Sequence, residues 1–158
     1  MLVGPITRRS CGSNPTPAIF IFKMQTFLPY PNFEKSLKCL DNKRLGKQRV
    51  EAYQILNIIL KRTKKKGWRN HPAVKMWRDT PNALKLYFNK CLEEWISRGF
   101  NNNMKKEIIR GKINYPFWIG SKRFHSSHKS NLSRKDKKYY SRFGWTEKNN
   151  LEYIWPIK

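Results

Sequence analysis

Glu51 is the carboxylate whose neighbours most suggest chemistry. If this stretch is helical, Lys47 and Gln48 lie one turn before Glu51 and Arg44 lies two turns before it, so the four side chains share a face. Such a face can hold one carboxylate inside a phosphate-binding groove, where a nucleic-acid sugar is presented to it. The same spacing also describes an ordinary surface ion pair, which contributes little to stability. From the spacing alone, the ion pair is the favoured interpretation.

The histidines are the next candidates. His125 and His128 are close enough in sequence for a zinc site, but no cysteine stands at the spacing that zinc motifs use. We therefore predict no metal ion and no other cofactor. We expect both rings to contact phosphate or a base, amid the cationic side chains of the same stretch. The other residues predicted to bind nucleic acid are Arg44, Lys47, Arg49, His71, Arg123, Lys129, Arg134 and Lys138.

The remaining carboxylates form no cluster suited to a metal-dependent nuclease. Glu93 and Glu94 are adjacent, and adjacent side chains diverge around a helix. That class of enzyme is therefore the least favoured.

The charge balance predicts a polyanionic partner. Lys and Arg number 34 against 10 Asp and Glu, so the formal net charge is +24. A nucleic acid relieves this repulsion because its phosphates bind the cations and release counterions. An AT-rich genome would also enrich lysine, and an anionic membrane would also attract a basic face. A membrane-binding protein usually has a long apolar run or a separate amphipathic basic helix, and we find neither. We predict a monomer that binds duplex DNA and no membrane.

The cysteines predict the compartment. Cys11, Cys39 and Cys91 are odd in number and widely spaced, which argues against a disulfide framework. We expect an intracellular protein in a reducing compartment, wherever DNA is found, because the sequence contains no convincing targeting signal.

Helices must position these side chains, because the sequence has helical periodicity and no convincing strand pattern. The first long helix is predicted over residues 43–64, with an apolar stripe on one face. Thr80 as N-cap, Pro81 at the first helical position and Gly99 at the far end bound the second. Further helices are predicted at residues 33–40, 72–77, 103–110 and 127–140. The prediction is an all-α, compact single domain of three main helices with short helices and an aromatic-rich irregular C-terminal segment.

The first 23 residues differ from the rest. They contain arginine, serine, threonine and proline but no acidic residue. We interpret residues 1–23 as a flexible extension, or as the product of an upstream start, ahead of a domain at residues 24–158.

Two stretches carry a recognisable pattern. One is the motif of residues 40–51, which contains Leu45 and Glu51, and the other is the capped helix end at residues 97–101. In this order they resemble the pyrimidine-dimer DNA glycosylases, the phage endonuclease V-like superfamily. A less studied branch of that superfamily is similar at residues 24–29, 71–77 and 125–140.

The resemblance implies an all-α enzyme that kinks duplex DNA and extrudes a base. In the family, the α-amino group attacks the sugar C1′ to form a Schiff base, a glutamate on the first long helix assists, and β-elimination cleaves the strand. Glu51 falls where that glutamate falls, after the matching Leu45. The resemblance therefore favours a catalytic role for Glu51 over the surface ion pair. The implied nucleophile is the α-amine of Met24, if the chain starts there. Lys43 or Lys47 is the alternative amine.

Two hypotheses follow for function. The leading one is a base-excision repair enzyme, a DNA glycosylase with abasic-site lyase activity. The alternative is a non-catalytic basic nucleic-acid-binding or packaging protein that retains the fold. Lesion preference separates them, because coating by charge does not distinguish damaged from intact duplex.

Overall fold

The computed structural model describes residues 24–64 and 67–158, and within them it consists of helices and loops without strands. This confirms the all-α prediction. The predicted extension at residues 1–23 lies outside the described residues. The helices are α1 (Phe33–Cys39), α2 (Asn42–Ile59), α3 (Pro72–Trp77), α4 (Pro81–Ser97), α5 (Lys122–Lys135) and α6 (Lys137–Tyr140), and a 3₁₀ turn at Ser141–Phe143 follows.

The two long helices α2 and α4 pack against each other and carry much of the core. Leu45 and Leu56 of α2 and Phe88 and Leu92 of α4 are fully buried. The helices approach closely at Gly46, where a Cβ atom would lie 2.9 Å from the ring of Trp95. A side chain at this position would force the ring of Trp95 to shift.

The C-terminal end of α2 corrects the predicted boundary. The helix was expected to continue to residue 64, but it ends at Ile59. Lys61 adopts a left-handed conformation with φ of 56°. The amide of Arg62 donates to the carbonyl of Asn57 at 2.8 Å, as in a helix-terminating turn. Residues 62–64 therefore lie in a loop.

The second long helix is close to its prediction. It begins at Pro81 and ends at Ser97, and Gly99 follows with φ of 85°. Thr80 occupies the N-cap position, but its side chain makes no capping hydrogen bond. Its hydroxyl donates instead to the carbonyl of Trp77 at 3.4 Å.

The helix predicted at residues 103–110 is wrong, because this segment is extended and irregular. Side chains of α4 form hydrogen bonds with the backbone of this segment. Asn89 donates to the carbonyl of Glu107 at 2.9 Å and accepts from its amide at 2.7 Å. Asn82 donates to the carbonyls of Arg110 and Lys112 at 2.9 and 3.0 Å. These bonds replace the ones that a helix would supply.

The helix predicted at residues 127–140 begins earlier and is interrupted. Ser121 caps its N-terminus by accepting a hydrogen bond from the amide of Phe124. Asp136 ends α5 with φ of −152° and then caps α6, since its carboxylate accepts from the amide of Tyr139 at 3.0 Å. The interruption leaves Lys135 as the last residue of α5.

The predicted aromatic-rich irregular segment follows α6. The ring of Trp145 stacks on those of Tyr140 and Phe143 at 5.6 and 5.2 Å. Further along, Tyr153 reaches the interior of the molecule. Among the described residues, no helix is both long and apolar enough to span a membrane.

The two cysteines within the described residues, Cys39 and Cys91, are buried free thiols. Burial raises the pKa of the Cys39 thiol to about 12. It also raises the pKa of Cys91. Both side chains therefore stay protonated and act as small apolar core residues.

Candidate active site

An extended segment at residues 24–28 runs through the interior, and side chains from distant parts of the chain take up its polar groups. The hydroxyl of Tyr153 accepts from the amide of Thr26 at 3.1 Å and donates to its carbonyl at 2.5 Å. The indole of Trp77 donates to the Thr26 hydroxyl at 3.1 Å. Since these groups are buried, the pairing fixes the course of the segment.

The next two residues of the segment are held by α2 and α5. The amide of Phe27 donates to Oε1 of Gln48 at 3.2 Å. The amide of Leu28 donates to Nδ1 of His128 at 2.9 Å, and Nδ1 of His125 lies 2.8 Å from the Leu28 carbonyl. The segment is therefore tied to both helices by its backbone, independently of which side chains it carries.

The histidines lie in the interior, although they were predicted to contact nucleic acid. Burial lowers the pKa of His128 to about 3, so this ring is neutral. Burial also lowers the pKa of His125, whose Nε2 accepts from the amide of Gly120 at 2.9 Å. His71 is buried as the N-cap of α3, where Nδ1 accepts from the amide of Ala73 at 3.0 Å. We assign these rings to holding the backbone.

Glu51 faces the beginning of this segment. Its residue is 7% exposed. Its Oε2 accepts from the amide of Gln25 at 3.4 Å and from Nε2 of Gln48 at 3.2 Å. Its Oε1 lies 3.6 Å from Nζ of Lys47. Nε2 of Gln48 also donates to the carbonyl of Gln25 at 2.6 Å, which fixes the amide between the segment and the carboxylate.

The environment of Glu51 disfavours its charge. Burial raises the pKa of this carboxyl to about 7, against the opposing effects of Lys47, the Gln25 amide and Lys135. A carboxyl with this pKa exchanges a proton near neutral pH, which is the property that general acid–base catalysis needs.

The positive charges of Lys47 in α2 and of Lys135 at the end of α5 act on the carboxylate. Arg44 of α2 and Arg134 of α5 lie near Lys135. Burial lowers the pKa of Lys135, and the positive charges of Arg44, Lys47 and Arg134 lower it further, while Glu51 opposes them. The arrangement combines a partly desolvated amine with a proton-accepting carboxylate inside a positive field, as chemistry on a phosphodiester strand requires.

A comparison with known families bears on the chemistry of this site. A model of the pyrimidine dimer DNA glycosylase family matches residues 24–108, more than half of the 158-residue chain. The chain belongs to this family. The match confirms the resemblance inferred from the motifs and indicates a DNA-repair glycosylase whose partner is nucleic acid. No curated protein and no solved structure matches the chain. Glu51 and the facing segment at residues 24–28 both fall within the matched residues.

The other side chains predicted to contact nucleic acid either lie away from Glu51 or make contacts within the protein. The guanidinium of Arg49 packs over Trp95 at 4.5 Å and donates to Asn102 at 3.0 Å. Nζ of Lys129 lies 3.4 Å from Glu147. Arg123 is exposed at the first turn of α5, and Lys138 is exposed on α6. The predicted basic stretch is thus spread along α5 and α6, and Lys135 at the end of α5 is the cation from it that acts on Glu51.

Three contributors to the site were missing from the sequence prediction. Gln48 was noted beside Glu51 but given no role, and Tyr153 and Lys135 were not associated with it at all. Lys135 and Tyr153 lie outside the matched residues 24–108, so they come from the part of the chain without a family match. No sequence pattern joins them to Glu51, since the fold alone brings them together.

Proposed function

We propose that this protein is a DNA glycosylase with abasic-site lyase activity, acting on duplex DNA that carries a pyrimidine dimer. The observation that supports this most is the buried Glu51, whose pKa is raised to about 7, in a member of the pyrimidine dimer DNA glycosylase family. An ordinary surface ion pair would leave the carboxylate exposed and ionised. The proximity of Lys47 and Lys135 to Glu51 supports DNA as the ligand.

Glu51 acts on the sugar of the damaged nucleotide. As a carboxylate it stabilises the positive charge that develops at C1′ when the bond to the base breaks. In the lyase step it accepts the proton from C2′, which starts the elimination. Its pKa of about 7 matches this role because proton transfer is most efficient near the working pH.

An amine of the chain forms the covalent intermediate. In a chain that begins at Met24, its α-amine is the candidate, because the adjacent peptide nitrogen of Gln25 lies 3.4 Å from Oε2 of Glu51. An α-amine titrates at about pH 8, roughly two units below lysine, so a useful neutral fraction exists at neutral pH. Surrounding cations increase that fraction.

The cationic side chains bind phosphate and orient the strand. Arg44, Lys47 and Lys135 act next to the reacting sugar, and Arg123 and Lys138 extend the contact along the surface. Phosphate binding of this kind makes affinity depend steeply on salt. The protein acts as a monomer on one lesion.

Borohydride trapping tests this function. The protein is incubated with duplexes that carry a pyrimidine dimer, an abasic site or no damage, and borohydride reduces any Schiff base to a stable adduct. We expect adducts with the two damaged duplexes and none with the intact one, and we expect Glu51→Gln to slow cleavage by on the order of 100-fold or more. Full cleavage by Glu51→Gln, or no adduct from either the full chain or a chain beginning at Met24, contradicts the proposal.

The same experiment decides on the alternative of a non-catalytic binding protein, which the net charge of +24 favours. That alternative predicts steeply salt-dependent binding with equal affinity for damaged and intact duplex, and no adduct. A clear preference for the damaged duplexes excludes it.

A further inference from the structure

A concave surface lies between α2, α4 and the extended segment at residues 103–110, and we call it the basic groove. Its volume is about 660 Å³. The cations that line it are Arg62, Lys85, Lys105, Lys106 and Arg110, and the one carboxylate is that of Glu107. None of these residues contacts Glu51, so the function proposed above leaves the groove without a role.

Three of the five cations keep an uncompensated charge. Arg62 and Lys106 are paired with carboxylates at 2.6 and 2.9 Å. Within the part of the chain that the structure describes, Lys85, Lys105 and Arg110 form no ion pair. The only carboxylate of the lining is already used in the pair with Arg62. The groove is therefore positively charged and suited to an anionic ligand.

One wall of the groove is the extended segment, which α4 holds in place. Lys85 of α4 donates to the carbonyl of Ile108 at 3.1 Å. Asn82 and Asn89 lie one helical turn on either side of Lys85, and they bind the backbone of the same segment further along and further back. These bonds fix the course of the wall and leave the positive charge of Lys85 in place.

The extended course directs the charged side chains of the wall outward. Exposure alternates along the segment, as it does in a strand. Lys106, Ile108 and Arg110 are exposed, whereas Glu107 and Ile109 between them are partly buried. A helix would have distributed these five side chains around its axis. The segment instead presents two cations and an apolar side chain, 69% exposed at Ile108, along one edge of the groove.

The opposite wall carries an aromatic ring. Tyr53 of α2 lines the groove and is 39% exposed. Its ring packs against Phe88 of the core, with the ring centroids 5.7 Å apart, so it is supported on one side and open on another. An open aromatic ring beside cations is typical of surfaces that bind single-stranded nucleic acid, because unpaired bases stack on the ring while phosphates bind the cations. The bases of a duplex are already stacked on each other and cannot use such a ring.

The basic groove and the Glu51 site lie on different sides of α2. Tyr53 follows Glu51 by two residues, which corresponds to about 200° around a helix. Glu51 is buried against the segment at residues 24–28, whereas Tyr53 opens into the groove. A ligand in the groove therefore does not contact Glu51, and the two sites can be occupied independently.

We propose that the basic groove binds a segment of single-stranded DNA, separately from the duplex that the Glu51 site receives. The phosphates of this strand bind Lys85, Lys105 and Arg110, and one of its bases stacks on Tyr53. DNA is the nucleic acid because the chain belongs to a family of DNA glycosylases. The proposal requires neither glycosylase nor lyase activity of the protein.

Photo-crosslinking of the parent chain locates the site. A short oligothymidine that carries one photoreactive thiothymine is irradiated with the full chain, with and without one equivalent of intact duplex. Mass spectrometry identifies the crosslinked residues. We expect crosslinks on Tyr53 or within residues 103–110, and we expect them to persist when the duplex is present. Crosslinks confined to other parts of the chain, or crosslinks that the duplex abolishes, overturn the proposal.

Charge variants test the role of the cations. Lys105→Gln combined with Arg110→Gln should weaken oligothymidine binding by about 10-fold or more, measured by fluorescence anisotropy. Lys75→Gln combined with Lys148→Gln is the matched control, because it removes the same charge from exposed positions outside the groove. The control should bind oligothymidine within about threefold of the parent. Equal losses in the two double variants overturn the proposal.

The ring variant tests which form of nucleic acid the groove takes. Tyr53→Leu keeps every charge and should weaken oligothymidine binding by about 10-fold, while the affinity for intact duplex stays unchanged. An equal effect on single strand and duplex overturns the assignment to a single strand, and tighter binding of oligouridine than of oligothymidine overturns the assignment to DNA. No readout depends on cleavage, so failure of the glycosylase and lyase function is distinguishable from failure of this inference.

Discussion

Glu51 and Glu107 have nearly the same side-chain exposure, 9% and 11%, but their surroundings act on them in opposite directions. Arg62 binds Glu107 through two nitrogens at 2.6 and 3.0 Å, and these hydrogen bonds lower the pKa of Glu107. Glu51 has a single cation at 3.6 Å and is otherwise bound by neutral donors, so burial dominates and raises its pKa.

The difference shows how the same residue type takes different roles. Glu107 is fully committed to a bidentate pair that fastens the 101–114 segment to the end of α2, and it has no reason to change protonation state near neutral pH. Glu51 is held in position by Gln25 and Gln48 without being neutralised. A carboxylate that is positioned but incompletely paired is available to a substrate.

The largest expected difference is in catalysis. Glu51→Gln should lower the single-turnover rate of strand cleavage on a pyrimidine-dimer duplex by on the order of 100- to 10,000-fold, because the amide cannot accept a proton. Glu107→Gln is the matched control and should cleave at the parental rate. Equal rates in the two variants would remove the distinction between the two glutamates.

The same substitution, Glu51→Gln, should raise the stability of the protein although it lowers its activity. At pH 8 the folded protein holds Glu51 ionised in a site that disfavours charge, so Glu51→Gln should raise the free energy of unfolding by up to about 3 kcal/mol. The folded-state pKa of about 7 exceeds the ordinary 4.5, so the parent protein gains stability as pH falls from about 7 to 4.5. The advantage of the variant should shrink over the same range. Urea unfolding at a series of pH values measures the difference in free energy of unfolding between the two proteins. A variant less stable than the parent at pH 8 would contradict the claim that burial disfavours the charge of Glu51.

The segment facing Glu51 should depend on Tyr153. Tyr153→Phe removes the partner of both the amide and the carbonyl of Thr26, which are buried. We expect the free energy of unfolding to fall by roughly 2–6 kcal/mol, since each of the two unpaired buried groups costs about 1–3 kcal/mol. Urea unfolding monitors this change. Tyr139→Phe, at a half-buried position of α6, is a suitable comparison because its hydroxyl makes only a 3.4 Å contact with Leu40. Equal loss in both variants would argue against a special role for Tyr153.

The ion pair between Arg62 and Glu107 should contribute less to stability than the hydrogen bonds of Tyr153. Glu107→Gln should lower the free energy of unfolding by about 1 kcal/mol at neutral pH, the upper range for ion pairs near the surface. Because the folded pKa of Glu107 is lowered, its stabilisation is present above the ordinary pKa of 4.5 and is lost as pH falls through the folded value. Thermal unfolding at neutral and strongly acidic pH checks this, and a loss that grows on acidification has the wrong sign.

The smallest effect is expected in binding. Lys47→Gln should reduce the slope of log affinity against log salt by about 0.9, the value for one phosphate contact on duplex DNA. Titrations of an intact duplex at several salt concentrations measure the slope. An unchanged slope would mean that Lys47 does not touch phosphate.

Local signals predicted much of the helical framework. Pro81 and Gly99 bound α4 closely, and the apolar stripe of α2 places Leu45 and Leu56 in the core. The predicted helix at residues 103–110 failed because the side chains of Asn82 and Asn89 satisfy its backbone groups. That is a tertiary effect without a local pattern.

The site was predictable only in part. Glu51 was identified because helical spacing and the resemblance converged on it. His125 and His128 were predicted to contact phosphate or a base, and their burial was not foreseen because α5 contains so few apolar residues that its buried face is not evident from sequence. Lys135 lies 84 positions after Glu51 (135 − 51), and no spacing rule links residues so far apart.

Titration of the individual glutamate carboxyl carbons by NMR tests the central claim most directly. Spectra of the parent protein and of Glu51→Gln and Glu107→Gln assign the two signals. We predict that the Glu51 carboxyl titrates with a pKa of about 7 and that Glu107 titrates below 4.5. If both carboxyls titrate below 4.5, Glu51 is an ordinary paired carboxylate, and the proposed chemistry at this site is contradicted.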